Sequence, residues 1–318
     1  MPPTLIFAYR RTKKKVLLLP EPRLWGIKMR ILLFVVIFLT IQIRSYSIEV
    51  HGHRGARSVL PENSLPAFEY AYDIGVDVIE LDLTFSKDSE IVVHHDTTTN
   101  INQCQSTNPA LNQEPRLLRE LSLSQIKTFI CGNKPHPKFP RQKLQEVKIP
   151  TLSEVFELIK KKQSQNFRRV LFNIETKTQE PSGPLPDSYI LGFVKQLLSV
   201  VEKFQRNSDV IVQSFDERTL IAIKSLNPSL ILAGLNHEKT KNSINWAHRL
   251  GLDIVSPYYE FATQDYVSRA HKLGLKVIPW TPNSAHDWNR LISNGVDGII
   301  TDDPAQLIDH LKSKGLRK

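Results

Sequence analysis

Val78-Ile79-Glu80-Leu81-Asp82-Leu83 is the stretch on which the fold of this chain turns. It reads as a β-strand, in which side chains two apart share a face. Glu80 and Asp82 therefore point one way, while Ile79, Leu81 and Leu83 point the other. Neighbouring carboxylates repel one another unless a proton or a cation sits between them. A hard divalent ion held by oxygen ligands is the natural resolution. Upstream lie His53-Arg54-Gly55-Ala56 and Pro61-Glu62-Asn63, so a histidine, an arginine and both carboxylates fall within thirty residues.

Outward from this stretch, short apolar runs alternate with helix-period segments from Ile48 to the end of the chain. Strands are expected over Ile48–His53, Val78–Thr84, Arg169–Lys177, Val210–Phe215, Leu230–Leu235, Asp253–Tyr258, Lys276–Thr281 and Gly298–Thr301. Helices are expected over Leu65–Ile74, Leu152–Lys162, Tyr189–Phe204, Glu217–Leu226, Ser243–Leu250, Asp265–Leu273, Ala285–Ser293 and Pro304–Lys312. Asp303 serves the last helix as N-cap, with Pro304 at its first position. Eight strand–helix repeats over about 270 residues are the arithmetic of a (β/α)8 TIM barrel. A doubly wound sheet alternates in the same way. The polar residues decide between them, because His53, Glu80, Glu175, Gln213 and Trp280 all fall near C-terminal strand ends, where a barrel builds its site. No GxGxxG or P-loop sequence argues for a nucleotide crevice. Residues 97–149, without a clear strand and rich in Asn, Gln, Pro and Lys, read as an insertion after the second strand, standing over the barrel mouth.

Parity on the third strand places Leu171, Asn173, Glu175 and Lys177 on one face and Val170, Phe172 and Ile174 on the other. If the apolar set meets the helices, Glu175 joins Glu80 and Asp82, with Lys177 beside them. Three carboxylates, water and one substrate oxygen make an oxygen shell for Mg²⁺ or Ca²⁺. Taken singly, Glu175–Lys177 and Asp82–Arg54 read as plain ion pairs at a barrel rim. Their convergence with His53 and His95 points instead to chemistry, since imidazole accepts and donates protons near neutral pH. His51 and His94 are assigned structural roles. Arg54 suits a phosphate oxygen, because guanidinium stays charged and binds such oxygens in a fork. The set is that of a phosphoryl site with one metal, two acid/base histidines and no nucleophilic serine elbow.

Composition sets the boundaries of this reading. The 318 residues are 41% hydrophobic and 23% charged, as in an ordinary globular protein. The net charge of +10 is concentrated in residues 1–47, where nine Lys and Arg stand against Glu21 alone, leaving +2 for residues 48–318. A basic nucleic-acid face is therefore not expected. Lys28-Met29-Arg30 precedes an apolar run from Ile31 to Ile43, short of the roughly 20 residues a membrane span needs. Residues 29–47 read as a cleaved export signal with Ser45 and Ser47 before the cut, giving a periplasmic or secreted domain over 48–318. The alternative is an uncleaved anchor, in which case only this segment touches a membrane. Cys104 and Cys131 are either two unrelated thiols or, in an oxidising compartment, a disulfide that stabilises by about 3 kcal/mol. The export signal favours the disulfide.

Across residues 48–318 the chain resembles the glycerophosphodiester phosphodiesterase family. The resemblance rests on His53-Arg54-Gly55-Ala56, Pro61-Glu62-Asn63-Ser64, Ile79-Glu80-Leu81-Asp82, Lys87-Asp88, His95-Asp96, Ile149-Pro150-Thr151-Leu152, Asn173-Ile174-Glu175-Thr176-Lys177, Gln213-Ser214-Phe215 and Val277-Ile278-Pro279-Trp280-Thr281. Ser64 and Ser89 depart from the residues usual there. The resemblance implies a metal-dependent phosphoric diester hydrolase acting on a small phosphodiester, with Glu80, Asp82 and Glu175 on the ion. It implies His53 and His95 as the acid/base pair and Arg54 and Lys177 on phosphate. Phe215 and Trp280 would line the pocket, with barrel filling as the competing role, above all for Phe215. Two rivals stand beside this reading: a phospholipase D of the sphingomyelinase or lysophospholipid type, and a non-catalytic binding barrel.

Overall fold

The computed structural model describes residues 47–237 and 242–318. The export segment expected over residues 1–47 lies outside the described residues, Ser47 excepted. Eight parallel strands form the frame: β1 (Glu49–Gly52), β2 (Val78–Phe85), β3 (Leu171–Thr176), β4 (Val210–Ser214), β5 (Ile231–Asn236), β6 (Ile254–Pro257), β7 (Lys276–Val277) and β8 (Gly298–Thr301). They pair in the order β7-β6-β5-β4-β3-β2-β1-β8, and a parallel bridge from Trp280 to Ile300 spans the remaining seam. A helix follows each strand, giving the (β/α)8 barrel expected from the order of elements.

The two faces of the strands divide as parity requires. Ile79, Leu81, Leu83, Phe172 and Ile174 pack outward against helix residues such as Phe68, Phe156 and Leu197 in one buried layer. Inside the barrel, Ile211, Ala233, Ile254, Ile278 and Ile300 form a second, smaller layer. Each of these Ile, Leu and Phe side chains, fully buried, contributes about 1.5–3 kcal/mol relative to exposure. Local chemistry starts the helices where the pattern begins. Ser64 caps Leu65–Ile74, Thr151 and Glu154 form a reciprocal capping box at Leu152–Asn166, and Asp303 caps Pro304–Ser313.

Two expectations change. The seventh strand ends at Val277 rather than Thr281, because Pro257 has no amide hydrogen to continue the ladder on the β6 edge and Pro279 has none for the β8 edge. Residues 97–149, read as strandless, contain an antiparallel sheet of Cys104–Ser106, Phe129–Cys131 and Val147–Lys148. These strands are two or three residues long, too short to show a period, and are held by distant contacts. Val92, Leu118, Ile126, Phe129 and Ile149 give the segment its own core, and Cys104 and Cys131 are disulfide-bonded across paired strands. Its loop rests on the β1 turn, where Gln142 Nε2 donates to the carbonyls of Arg57 at 2.6 Å and Leu60 at 3.0 Å.

The turn after β1 is the most constrained part of the backbone. Arg54 and Gly55 take φ of 49° and 86°, and a Cβ on Gly55 would lie 2.7 Å from the Ala67 carbonyl carbon. Gly55 thus lets the turn press against helix Leu65–Ile74 and aim His53 and Arg54 into the barrel. Gly55→Ala is expected to cost at least about 2 kcal/mol, from left-handed strain and the clash together. Thermal denaturation checks this, and an unchanged melting temperature would contradict it.

Candidate active site

β2 and β3 run side by side in a register that pairs Glu80 with Asn173 and Asp82 with Glu175. Glu80, Asp82 and Glu175 are all buried at the barrel mouth, with ligand oxygens within 4.8 Å of one another. Glu80 is fixed from two sides: Gln213 Nε2 donates to Oε1 at 2.8 Å, and the Arg54 amide donates to Oε2 at 2.8 Å. Asn63 clamps Asp82, donating from Nδ2 to Oδ2 at 2.8 Å and accepting from the Asp82 amide at 3.2 Å. Lys177 Nζ sits 3.0 Å from Asp82 Oδ1 and hydrogen-bonds Glu175, while Arg54 Nε lies 3.1 Å from Asp82 Oδ2.

This crowding shows in the ionisation of the group. Burial, and then repulsion from Asp82 and Glu175, pushes the Glu80 carboxyl well above the usual carboxylate range. Glu175 is also raised, by burial first, with Asp82 adding to it and Lys177 opposing. Asp82 goes the other way: burial disfavours its charge, but Lys177 and Arg54 outweigh it and hold the carboxyl well below its ordinary value. The protein's own cations thus satisfy one carboxylate and leave two under-neutralised. Three convergent oxygen donors with excess negative charge fit a hard divalent cation.

His53 and His95 flank this cluster. His53 Nδ1 is 2.5 Å from Asp302 Oδ1, and its Nε2 is 4.0 Å from Glu80 Oε2. Asp302 is itself held by Asn283, which donates from Nδ2 to Oδ2 at 2.7 Å. Burial favours the neutral ring and lowers the pKa of His53, although the Asp302 charge pulls the other way. His95 Nδ1 is 2.7 Å from Asp96 Oδ1. Each imidazole therefore has a carboxylate on Nδ1 and keeps Nε2 for the site. Arg54 donates to Glu62 Oε1 at 2.7 Å, and Arg57 NH2 lies 2.8 Å from Glu62 Oε2.

All the sequence-selected residues but Asp82 line one cavity of about 240 Å³, among them His53, His95, Glu175, Lys177, Phe215 and Trp280, and Asp82 lies behind it against Lys177 and Arg54. Phe215 is 45% exposed and meets Trp280 edge-on at 5.7 Å, which places it at the cavity wall rather than inside the barrel. Sequence reasoning gave no site role to Asp302, Asn63, Glu62, Arg57 or Asp96. Asp303 does cap the last helix, accepting from the Gln306 amide. Asp302, one residue earlier, turns into the mouth at a C-terminal strand end, the position rule that singled out His53.

A family model described as the glycerophosphoryl diester phosphodiesterase family matches residues 53–306. The chain belongs to this family, and with it to the phosphoric diester hydrolases. A glycerophosphodiester phosphodiesterase of Caldanaerobacter subterraneus subsp. tengcongensis is 33% identical over 84% of this chain and 98% of its own length. A solved protein of Silicibacter pomeroyi, assigned to the same activity, is 26% identical, covering 85% of this chain and 95% of its own, with a TM-score of 0.78. An Oleispira antarctica phosphodiesterase, solved with its product sn-glycerol-3-phosphate, shares the fold at 21% identity and a TM-score of 0.69, over 84% and 98% of the two chains.

Asp302→Asn keeps the side-chain shape but removes the charge that fixes the His53 tautomer. It is expected to lower kcat by roughly 10²–10⁴ while leaving KM nearly unchanged. Steady-state kinetics decide, and a wild-type kcat would remove Asp302 from the site's working parts.

Proposed function

We propose that the protein is an exported, divalent-cation-dependent glycerophosphodiester phosphodiesterase, releasing glycerol phosphate and an alcohol. The observation that carries this reading is the junction of three clustered carboxylates, two of them under-neutralised, with two carboxylate-held imidazoles and two cations at one cavity. Glu80, Asp82 and Glu175 would hold one Mg²⁺ or Ca²⁺, which when bound polarises a phosphoryl oxygen and offsets charge on the phosphorus centre. Arg54 and Lys177 bind the remaining phosphoryl oxygens. His53, kept neutral by burial and oriented by Asp302, accepts the proton of the attacking hydroxyl, whether of water or of the neighbouring glycerol carbon. His95, held by Asp96, delivers a proton to the departing alkoxide. Phe215 and Trp280 pack against the glycerol arm.

Each of His53→Ala and His95→Ala is expected to reduce kcat by roughly 10²–10⁴ in hydrolysis of glycerophosphocholine or glycerophosphoethanolamine. A chelator is expected to abolish turnover, and added Mg²⁺ or Ca²⁺ to restore it. Full activity in both variants would defeat the acid–base assignment, and indifference to the chelator would defeat the cation. Lysophosphatidylcholine and sphingomyelin in the same assay separate this reading from a phospholipase D.

Export is supported by the Cys104–Cys131 disulfide, since such bonds persist in oxidising compartments. The signal over residues 29–47 would direct the barrel domain, residues 48–318, to the periplasm or the medium, or anchor it if uncleaved. Sequencing the N-terminus of the mature protein is expected to place it after Ser47. A mature chain that begins before Met29 would contradict the export signal.

A further inference from the structure

A second cavity, of about 340 Å³, lies beside the catalytic one and shares Arg54, Arg57 and His95 with it. The turn after β1 and the His94–Asp96 segment line one side, and the insertion supplies the other through Cys131, His136, Lys138, Gln142 and Lys148. A phosphodiester carries two arms on one phosphorus atom. Were one arm to lie against Phe215 and Trp280, the shared wall at His95 would direct the other toward this second space.

Its lining is electropositive. Arg54, Arg57, Lys138 and Lys148 border it, against the carboxylates of Glu62 and Asp96. Both carboxylates are already engaged, Glu62 by Arg54 and Arg57 and Asp96 by His95. Among the described residues, neither Lys138 nor Lys148 has an acidic partner within ion-pair distance. The segment 134–148 adds Lys134, Arg141 and Lys143 against Glu146 alone. The lining also lacks an aromatic cage, since it holds the imidazoles of His94, His95 and His136 but no Phe, Tyr or Trp, and nearby Phe139 is covered by the Arg57 guanidinium at 5.0 Å. A quaternary ammonium is held by aromatic faces or a free carboxylate, and this cavity offers neither.

We infer that the cavity beneath the insertion receives the departing alcohol and selects alcohols that carry negative charge, a second phosphate above all, over cationic ones. The inference rests on the phosphodiesterase reading and names the substrate class of that site. Lys138 and Lys148 pair with the anionic group while His95 protonates the bridging oxygen.

The test compares kcat/KM for glycerophosphocholine, glycerophosphoglycerol, and glycerophosphoglycerol bearing a phosphate on its departing arm. The phosphorylated diester is expected to exceed the choline diester by about tenfold at low salt, with the neutral one between. The ratio is expected to shrink as ionic strength rises. In the double variant Lys138→Glu, Lys148→Glu the ratio should fall to one or invert, with thermal denaturation reporting that the fold is kept. Equal kcat/KM for all three diesters, or a choline preference, overturns the inference and leaves the hydrolase standing. A preference that survives the double variant overturns the role given to the cavity. No turnover on any of the three overturns the hydrolase reading and this inference together.

Discussion

The register between β2 and β3 is the constraint from which the site follows. Six consecutive residue pairs lock the two strands, and Asp82 faces Glu175 across them. A slip of one residue would send Glu80 and Asp82 into the helix layer and Ile79 and Leu81 into the mouth. The apolar packing of Ile79, Leu81 and Leu83 against the helices therefore sets the carboxylate geometry at the same time. Hydrophobic burial fixes the register, and the register concentrates negative charge that no folded chain would gather for stability alone.

That charge must be answered locally. Lys177 and Arg54 do part of it, and both come from elements tied to the same strands, Lys177 through the hydrogen bond its backbone N–H donates to the Leu83 carbonyl at 2.9 Å. Arg54 is in turn restrained by Glu62, and Glu62 by Arg57. The alternation of charges spreads outward from the acidic cluster to the insertion, where Arg57 stacks on Phe139. Neutralisation at the centre and shape at the rim are thus linked by one chain of side chains.

Much of this was legible because it obeys short periods. Strands buried on both sides give continuous apolar runs, and two-residue parity alone placed Glu80, Asp82, Glu175 and Lys177 on one face. What was not legible depends on separation along the chain. Asp302 meets His53 across 249 residues, and no local pattern reports such a meeting. Phe215 lies just beyond the end of β4 at Ser214, where parity no longer says which way a side chain turns. The insertion's strands exist through their partners and the disulfide rather than through their own propensity.

The barrel interior below Glu80 shows how firmly one of these carboxylates is held. Gln213, which donates to Glu80, accepts from Asn173 Nδ2 at 2.9 Å, and that nitrogen lies 3.5 Å from His51 Nδ1. His51 Nε2 is 3.5 Å from Glu49 Oε2, and Glu49 is bonded to Lys276 at 2.8 Å at the far end of the barrel. Burial alone would raise the Glu49 carboxyl, yet His51 and Lys276 bring it down to about 2. A polar column therefore runs through a core that apolar residues of similar volume would fill with less desolvation. Among the described residues, Asn173 Oδ1 and Ser256 Oγ are buried without hydrogen-bond partners, which adds to that cost. What the column provides in return is direction: Glu80 cannot rotate its oxygens without breaking bonds that continue down the barrel axis. Apolar packing beneath Glu80 would keep the carboxylate in place but would not aim it.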